Sequence, residues 1–400
     1  MKIAGKYILT GVLFLRVLLA ANVPVTASVQ SFSGFNSFGI NLEADGGHKL
    51  ARSASDKLHA VFVSVSGSGS SSSYKLIRAY SDGSGFTTDM ITENTGASAY
   101  LRNPALAVFN EDVYVVYVEA KDASNRGLSI IKYTANGNVQ QYTRVTMDAS
   151  NVFYYTDIAL DKDGYIYVAA TFRSDSSQKV RVFRSNLPRN IFSFKEEKYN
   201  GNGGDFNTTL AYLPKLTVDE SGNVYLAYEV RNATAGDMSK KIAVHKRQTI
   251  GASTGWFGYV EVSPNFRAQH PDIVYRNGQL HLVYSEQPNN INDDCNLRYR
   301  IYNDNLVIQS DEIILSAKKI YSPRLSFSGD TPLIQYVDSA DGSTYHVKMT
   351  AKNTSGSWSA PQTLSNASNA VYVHNVVDVR NDLPDVLWYN TTDQKVYFAA

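Results

Sequence analysis

The sequence contains very little cysteine and no concentration of charge of one sign. Cys295 is the only cysteine in 400 residues, so the chain cannot form an internal disulfide, and we expect Cys295 to be a buried apolar side chain. The 38 basic and 37 acidic residues leave a net charge of +1 and form no block of like charge. This balance argues against binding to nucleic acid or to an anionic membrane surface by bulk electrostatics.

Long amphipathic helices and the common catalytic motifs are also missing. No segment carries apolar residues at helical spacing over many turns, and the chain has no phosphate-binding loop, Ser-His-Asp elbow or cysteine nucleophile motif. The seven histidines are spread along the chain, so the sequence predicts no metal site and no cofactor. Two of them, His59 and His281, fall inside apolar strands and are expected to be core residues.

The first 27 residues have the pattern of a secretory signal peptide. Two lysines precede an apolar run over residues 7–21, and Val25-Thr26-Ala27 matches a small-residue cleavage signal. Arg16 interrupts the run, which makes a membrane-spanning helix the weaker interpretation. We therefore predict an exported protein, secreted, periplasmic or on the cell surface, with no membrane attachment after cleavage and a single domain over residues 28–400.

What the sequence has in abundance is tyrosine (27) and glycine (26), against three tryptophans and five methionines, which suits strands and turns. One pattern recurs: an apolar strand, a turn with Asp, Asn or Gly, and a second strand rich in Tyr and Val, as in PALAVFNEDVYVVYVEA and PKLTVDESGNVYLAYE. Equivalent second-strand positions are His59, Tyr114, Tyr167, Tyr225, His281, Ile334 and Leu387, spaced by 53 to 58 residues.

This repeat predicts an all-β fold, a single β-propeller of about seven four-stranded blades. The last repeat ends after its third strand, KVYFAA, and the segment VQSFSGFNSFGINL near the N-terminus can supply the fourth strand and close the ring. A β-sandwich does not generate a repeat near 55 residues, and a parallel β-helix needs a shorter one. Six or eight blades remain open, and we expect a monomer.

In a propeller the first strand of each blade lines the central channel, and the residues before it share one face with the loop after the second strand. The sequence places tyrosine, histidine, arginine and amide side chains on that face. The predicted ligand-binding residues are Arg102, Asn103, Tyr154, Tyr155, Tyr212, Gln269, His270, Tyr321 and His374, and the candidate catalytic residues are Arg102, Glu119, Tyr212, His270 and His374.

Aromatic rings beside hydrogen-bonding groups suit sugars, so a carbohydrate is the predicted ligand. Glu229, Glu286 and Asp338 are further carboxylates at the position of Glu119. One step further along the first strands the equivalent residues are Ala105, Asp157, Lys215, Asp272, Arg324 and Val377. Four charges of alternating sign there predict a paired network inside the channel, which is the expected role of these residues.

The stretch LRNPALAVFNEDVYVVYVEAKD resembles the arginine-proline motif of sialidases, in which R-I-P-A-L opens a blade and E-A-R follows its second strand. Arg102, Pro104, Ala105, Leu106, Glu119 and Ala120 match, whereas Asn103 stands for the usual Ile and Lys121 for the usual Arg. Traces of the family's Asp-box turn occur at residues 81–86 and 353–359. The resemblance implies a propeller in which Arg102 binds a substrate carboxylate through a bidentate fork.

Three classes of function remain open from the sequence. A glycoside hydrolase needs two carboxylates, or a tyrosine with a glutamate, near the glycosidic bond. A polysaccharide lyase needs Tyr or His to move protons and Arg or Gln to neutralise a uronate, and Tyr212, His270, His374 and Arg102 fit that set. A lectin or adhesin, or a protein-interaction scaffold, requires no catalytic group at all.

Overall fold

The computed structural model describes residues 30–31, 40–41 and 47–399, apart from gaps at 82–85, 135–138, 149–151, 175–176, 199–205, 207–209, 232–239, 251–252, 263–266, 288–293, 366–368, 378–384 and 394. The predicted signal peptide lies outside the described residues. Where the chain is described it forms strands and one 3-10 turn, Gly69–Ser71, which confirms the all-β prediction. None of the described segments is a helix long and apolar enough to cross a membrane.

The strands are, in chain order, β1 (Gln30–Ser31), β2 (Ile40–Asn41), β3 (Leu50–Arg52), β4 (Leu58–Ser66), β5 (Ser73–Ser81), β6 (Phe86–Thr95), β7 (Tyr100–Phe109), β8 (Asp112–Ala120), β9 (Arg126–Thr134), β10 (Val139–Met147), β11 (Val152–Leu160), β12 (Ile166–Ser174), β13 (Ser177–Ser185), β14 (Phe194–Glu197), β15 (Leu210–Val218), β16 (Val224–Arg231), β17 (Lys240–Ile250), β18 (Ser253–Val262), β19 (Arg267–Arg276), β20 (Gln279–Gln287), β21 (Cys295–Asn303), β22 (Ile308–Ala317), β23 (Lys319–Ser328), β24 (Thr331–Ser339), β25 (His346–Ala351), β26 (Gln362–Thr363), β27 (Ala370–Asn375), β28 (Val386–Asn390) and β29 (Lys395–Ala399).

These strands fall into seven consecutive antiparallel repeats. Repeat 1 is β3 to β6, and the next five are β7–β10, β11–β14, β15–β18, β19–β22 and β23–β26. Repeat 7 consists of β27, β28 and β29, and β1 pairs with β29 through Gln30↔Phe398 and Ser31↔Tyr397. The first strand of each repeat contacts the first strand of the next, and β27 contacts β3. This serial arrangement of four-stranded sheets around their first strands is that of a β-propeller.

The turns between first and second strands explain why the sequence forms these hairpins. Asp161 Oδ1 accepts hydrogen bonds from the backbone N–H groups of Asp163 (3.1 Å) and Tyr165 (2.9 Å), and Gly164 adopts a φ of 84°. Asp219 Oδ1 accepts the N–H of Asn223 at 2.7 Å in the same way. An Asp that bonds its own turn, followed by a residue that tolerates positive φ, reverses the chain within a few residues.

The core consists of seven buried apolar clusters, each lying between two consecutive repeats. Leu226 and Trp256 of repeat 4, for example, pack with Val182 of repeat 3. Another cluster joins repeat 1 to repeat 7, where the rings of Phe86 and Phe398 meet edge to face at 4.7 Å. Stability is therefore distributed over the interfaces between sheets rather than held in one centre. Cys295 is buried in one of these clusters, as predicted.

Two tryptophans tie neighbouring repeats together at the outer strands. Trp256 Nε1 donates to Glu197 of the preceding repeat at 2.9 Å, and Arg247 binds the same carboxylate through two nitrogens at 2.7 and 3.0 Å. Trp358 donates to Glu312 of the preceding repeat at 2.9 Å, and Lys352 lies 2.6 Å from that carboxylate. Each contact pairs an indole N–H, buried in Trp256 and partly buried in Trp358, with a carboxylate that a cation neutralises.

Candidate functional site

The first strand of each repeat from the second to the seventh carries a β-bulge close to its start. The pairing with the second strand shifts register between Arg102 and Ala105 in repeat 2, and at the equivalent place in the five repeats that follow. One residue of each bulge has a left-handed conformation, with φ between 44° and 57°: Asn103, Tyr155, Leu213, His270, Ser322 and Tyr372. We call this end of the first strands, residues 100–103, 154–155, 212–213, 269–270, 321–322 and 371–372, the upper rim.

The left-handed residues are strained, since none of them is glycine and such a conformation costs about 1–3 kcal/mol. Four of the six are followed by proline, at Pro104, Pro214, Pro271 and Pro323. The same backbone shape recurs at six positions with five different residue types, so the bulge belongs to the fold. Its effect is to bend the strand locally and to change the direction of the side chains beside it, as bulges next to binding sites do elsewhere.

Tyr212 on the upper rim is surrounded by the charged side chains of Arg231, Arg173 and Glu229. The guanidinium carbon of Arg231 lies 4.5 Å from the centre of the Tyr212 ring, and Tyr212 is paired across the strands with Glu229. Burial raises the pKa of the Tyr212 hydroxyl, whereas the charges of Arg231 and Arg173 lower it. Tyr212 is therefore a protonated, partly buried phenol with arginines beside it.

His270, Tyr321, Tyr345 and Tyr372 line a cavity of about 330 Å³ on the same rim, across repeats 5 to 7. The His270 and Tyr321 rings meet at 87° with centroids 5.8 Å apart, and the Tyr321 and Tyr345 rings lie 5.9 Å apart. Burial and the neighbouring Tyr345 raise the pKa of Tyr321 to about 12. A concave site walled by aromatic rings with hydroxyl and imidazole groups at its edges has the character of a small-molecule or sugar pocket.

The remaining predicted aromatic and cationic residues lie on the opposite arc of the rim. The Arg102 guanidinium stacks over the ring of Tyr100 at 4.6 Å, and the rings of Tyr154 and Tyr155 lie 6.2 Å apart. Arg102, Tyr154 and Tyr155 are partly exposed, and Tyr100 is 9% exposed. Arg102 thus presents a cation on the rim, although its guanidinium plane is held against an aromatic ring.

Two predicted ligand-binding residues turn inward. The side chain of Asn103 is only 1% exposed, and neither of its polar atoms has a hydrogen-bond partner in the described structure. Gln269 is 6% exposed, and its Oε1 accepts a hydrogen bond from Lys240 at 2.8 Å. The structure therefore places Asn103 and Gln269 beneath the rim and not on its surface.

The predicted carboxylates do not face the rim either. Glu119 is 1% exposed, lies 2.9 Å from Arg144, and accepts hydrogen bonds from Ser129 (2.5 Å) and Tyr142 (2.6 Å). The equivalent acids are buried and paired in the same way: Glu229 with Arg231 and Lys240, Glu286 with Arg298, and Asp338 with Lys348. The prediction that Glu119 lies exposed on the rim was wrong. Its side chain is buried, and Arg144 of the same repeat neutralises its charge.

His374 corrects a second prediction. The bulge of repeat 7 lies at residues 371–372, so His374 is equivalent to Arg324 of repeat 6 and lies deeper in the channel. It is 1% exposed, and burial together with the charges of Arg324, Lys49 and Lys215 holds its pKa well below the usual value. His374 is a neutral, buried residue that does not reach the rim. In repeat 7 it is His374, and not Val377 as predicted, that is equivalent to Arg324.

Seven equivalent residues, one from each repeat, lie at this deeper level of the first strands, and we call this set the axial ring. Each is at most 1% exposed: Lys49, Ala105, Asp157, Lys215, Asp272, Arg324 and His374. The predicted charged network is thus present. Two of its members link repeats directly, because Asp157 Oδ2 accepts the N–H of Leu216 at 2.7 Å and Asp272 Oδ2 accepts that of Leu325 at 2.9 Å.

His48 crosses the axial ring. Its Nδ1 lies 3.2 Å from Asp157 Oδ1, and its Nε2 lies 3.6 Å from Asp272 Oδ1, although these aspartates belong to repeats 3 and 5. A Cβ on the preceding residue, Gly47, would lie 2.4 Å from the carbonyl oxygen of Thr156, so glycine is needed for this approach. Beyond His48, at the opposite end of the channel, a second cavity of about 450 Å³ is walled largely by apolar side chains such as Leu106, Ile158 and Leu216.

Sequence reasoning missed four residues of this face: Arg173, Arg231, Tyr345 and Tyr372. Arg173 and Arg231 close the second strands of their repeats, the same place from which the carboxylates were chosen, so the position was available but the residue type was passed over. Among the described residues, no three His, Cys, Asp or Glu side chains are grouped as a metal site.

Comparison with known proteins shows similarity of fold to solved structures but does not assign the chain to a family. No protein-family model matches the chain, and no curated protein matches its sequence. A solved polysaccharide lyase, described as a PL25 ulvan lyase, superimposes with a TM-score of 0.59 at 9% identity over 92% of this chain and 95% of that one. A protein of unknown function from Dyadobacter fermentans gives 0.52 at 10% identity over 81% and 98%. A Hadza microbial sialidase gives 0.49 at 13% identity over 82% and 73%.

Proposed function

We propose that this chain is an exported, carbohydrate-active β-propeller that cleaves a uronate-containing polysaccharide by β-elimination at the upper rim. The observation that carries the proposal is the Tyr212–Arg231 contact of 4.5 Å on an accessible rim, one repeat away from His270. A protonated phenol, a guanidinium and an imidazole are the groups that elimination next to a carboxylate needs. The overall similarity to a polysaccharide lyase is consistent with this choice but concerns the fold alone.

The proposed reaction assigns one task to each residue. Arg231 neutralises the uronate carboxylate, which makes the proton on the adjacent carbon easier to remove. His270 takes that proton, the electron pair forms the new carbon–carbon double bond, and the glycosidic C–O bond breaks. Tyr212, whose pKa is raised by burial, gives its proton to the departing oxygen. Tyr321, Tyr345 and Tyr372 would stack against a neighbouring sugar in the aromatic cavity.

Hydrolysis is the less favoured chemistry because the carboxylates it requires are engaged elsewhere. Glu119, Glu229, Glu286 and Asp338 are all at most 6% exposed and each lies within 3.3 Å of a cation. A hydrolase uses two carboxyl groups about 5–10 Å apart that both reach the substrate. Removing any of these acids from its buried partner would leave an unpaired buried charge.

We further propose that the seven repeats close into a seven-bladed ring, with β1 completing the last blade. Three observations support closure: the β1–β29 pairing, the contact of β27 with β3, and the apolar cluster shared by repeats 1 and 7. Closure leaves no unpaired sheet edge at the seam. Export, a monomeric state and a carbohydrate partner complete the proposal, supported by the leader pattern in the first 27 residues and by the rim.

The direct test is turnover on a panel of uronate-containing polysaccharides. We expect wild-type protein to raise ultraviolet absorbance, which reports the new double bond, and we expect Tyr212→Phe to lower kcat by about 10²- to 10⁴-fold with little change in KM, since the proton donor alone is lost. Tyr259→Phe is the matched control, because Tyr259 is an exposed tyrosine on the outer strand of the same repeat. Reducing ends without absorbance would show hydrolysis, and neither signal across the panel would remove both enzymes.

The aromatic cavity favours a second candidate, a non-catalytic glycan-binding module. Stacking on Tyr321 and Tyr345 does not depend on proton transfer, so binding would persist without turnover. We expect Tyr345→Ala to weaken glycan affinity by roughly tenfold, corresponding to the loss of one aromatic contact of about 1–1.5 kcal/mol. Titration calorimetry with the best oligosaccharide of the panel measures this, and unchanged affinity would place the binding site elsewhere on the rim.

A further inference from the structure

A tyrosine on the second strand and a cation on the third strand lie opposite each other in three consecutive repeats. The pairs occupy the same register in repeats 2, 3 and 4: Tyr114 with Lys132, Tyr167 with Arg184, and Tyr225 with Lys246. In each pair the charge lies over the tyrosine ring, 5.3 to 5.8 Å from its centre. The three cations thus have equivalent places in the fold, and they differ in what else they bind.

The cation of repeat 3 lacks the second partner that the other two have. Lys132 forms an ion pair with Asp112 at 2.7 Å, and Lys246 donates to the carbonyl oxygen of Asp304 at 2.8 Å. Arg184 donates through Nε to the hydroxyl of its own tyrosine at 2.9 Å. Its two terminal nitrogens, however, have no hydrogen-bond partner among the described residues.

The Arg184 guanidinium is held in place although its donors are not all used. Its carbon lies 3.6 Å from the centre of the Tyr165 ring, and the hydrogen bond from Nε to Tyr167 fixes its rotation. The four N–H groups on the terminal nitrogens lie in the plane of the guanidinium. They are therefore preorganised to donate to oxygen atoms of a ligand.

Arg184 lines a polar cavity of about 190 Å³ at the junction of repeats 3 and 4, which we call the junction pocket. Repeat 3 also contributes Asp161, Asp163 and Tyr165, and repeat 4 contributes Ser221 and Gln248 among other polar residues. Ser221 is exposed, so the pocket opens to solvent. The turns between first and second strands form part of its wall, and these turns lie at the end of the strands away from the upper rim.

The charges in the wall of the junction pocket are balanced. Its charged residues are two aspartates and two arginines: Asp161, Asp163, Arg184 and Arg247. Arg247 also binds Glu197 through two nitrogens, and Asp163 lies 2.8 Å from Lys162. A charged ligand therefore gains little here, whereas a neutral ligand that both accepts and donates hydrogen bonds matches the donors of Arg184 and the exposed carboxylate of Asp163.

We propose that the junction pocket binds one neutral sugar unit, with Arg184 donating to its oxygen atoms and Asp163 and Gln248 accepting from its hydroxyl groups. The volume lies below the roughly 300–1,000 Å³ of pockets for drug-sized ligands, which limits the occupant to a single ring. The choice of a sugar among neutral polyols rests on the carbohydrate ligand of the proposed function. The site is separate from the upper rim and would hold a second stretch of a polysaccharide.

The test is binding of glucose, galactose, mannose, rhamnose and xylose to the full-length protein, measured by saturation-transfer difference NMR. We expect at least one of them to bind with a Kd on the order of 1 mM, since a ligand of one ring makes few contacts. Arg184→Met should weaken that affinity at least tenfold by removing the donors, and Ser221→Trp should do so by filling the mouth of the pocket. Lys132→Met is the matched control and should bind like wild type, because Lys132 has the same place in repeat 2 but its own carboxylate partner.

Crystals of the wild-type protein soaked in the same sugar provide a readout that does not depend on a variant folding. Density for a sugar ring in contact with Arg184 supports the proposal. No saturation transfer to any of the five sugars, an affinity that Arg184→Met leaves unchanged, or a pocket that takes up phosphate but no sugar would overturn it.

Failure of the proposed function is a separate result. Tyr212→Phe should leave sugar binding at the junction pocket unchanged while turnover at the upper rim is lost. A protein without turnover on any polysaccharide can still bind a sugar next to Arg184, and an active lyase can lack this second site.

Discussion

Replacing Asp157 with alanine is expected to lower the free energy of unfolding by about 3–5 kcal/mol, the usual loss when one partner is removed from a buried charge network. Asp157 is fully buried and accepts hydrogen bonds from the backbone of His48 (3.0 Å) and of Leu216 (2.7 Å). Burial alone would raise its pKa, but His48 and Lys215 outweigh it and hold the pKa below the ordinary value. The substitution therefore leaves the N–H groups of His48 and Leu216 without their acceptor and removes the negative charge near Lys215.

Urea denaturation at neutral pH measures the loss. Asp163→Ala is a suitable control, because the Asp163 side chain is 59% exposed in a turn of the same repeat, and we expect it to change stability by less than about 0.5 kcal/mol. Asp157→Asn should lie between the two, since an amide keeps the shape and one acceptor but not the charge. Equal stabilities of the Asp157→Ala and Asp163→Ala proteins would show that the axial network contributes little.

Acidification below about pH 6.5 is expected to destabilise the protein steeply, because four histidines are buried in neutral form. Burial lowers the pKa of His59 and of His245 to about 3 and that of His281 to about 4, and it holds the pKa of His374 well below the usual range. Unfolded chains protonate histidine near pH 6.5, so the unfolded state binds more protons and stability falls as pH decreases. Carboxylates with lowered pKa, such as Asp157, act only below about pH 4.

The size of this effect follows from linkage. Each histidine that stays neutral when folded removes about 1.4 kcal/mol per pH unit, so four together remove up to about 5–6 kcal/mol per unit below pH 6. The pH dependence of urea unfolding reports the number of protons taken up. His245→Phe should reduce that number by one and preserve the packing, because His245 stacks on Tyr228 with the rings at 6°. Uptake of less than one proton in wild type would contradict the prediction.

The repeat in the sequence predicts the fold well because it reflects hairpins that recur seven times. Second-strand residues His59, Tyr114, Tyr167, Tyr225 and His281 pair with equivalent first-strand positions, whereas Ile334 is displaced by one position and Leu387 by two. In repeat 7 the position that holds proline in four of the other repeats is occupied by Val373, and both VYVHN and VVDVR alternate like strands. Without that marker the register of His374 was open, and the sequence placed it three residues too far out.

The site was less predictable than the fold. Tyr154, Tyr212, His270 and Tyr321 lie on the predicted rim because side-chain direction follows from strand register. The fate of Glu119 depends on Arg144, which comes into contact only when the fourth strand of the repeat is in place. The position of His48 depends on repeats 3 and 5 at once, and no local pattern encodes a contact across the axis.

The six left-handed bulges also bear on how such a protein changes over evolutionary time. Their conformation is kept with Asn, Tyr, Leu, His or Ser at the strained position, so the backbone there accepts side chains of different size and polarity. Mutation can then exchange rim chemistry one repeat at a time without disturbing the interfaces between sheets. A scaffold of this kind keeps its shape while the side chains that face a ligand differ from one repeat to the next.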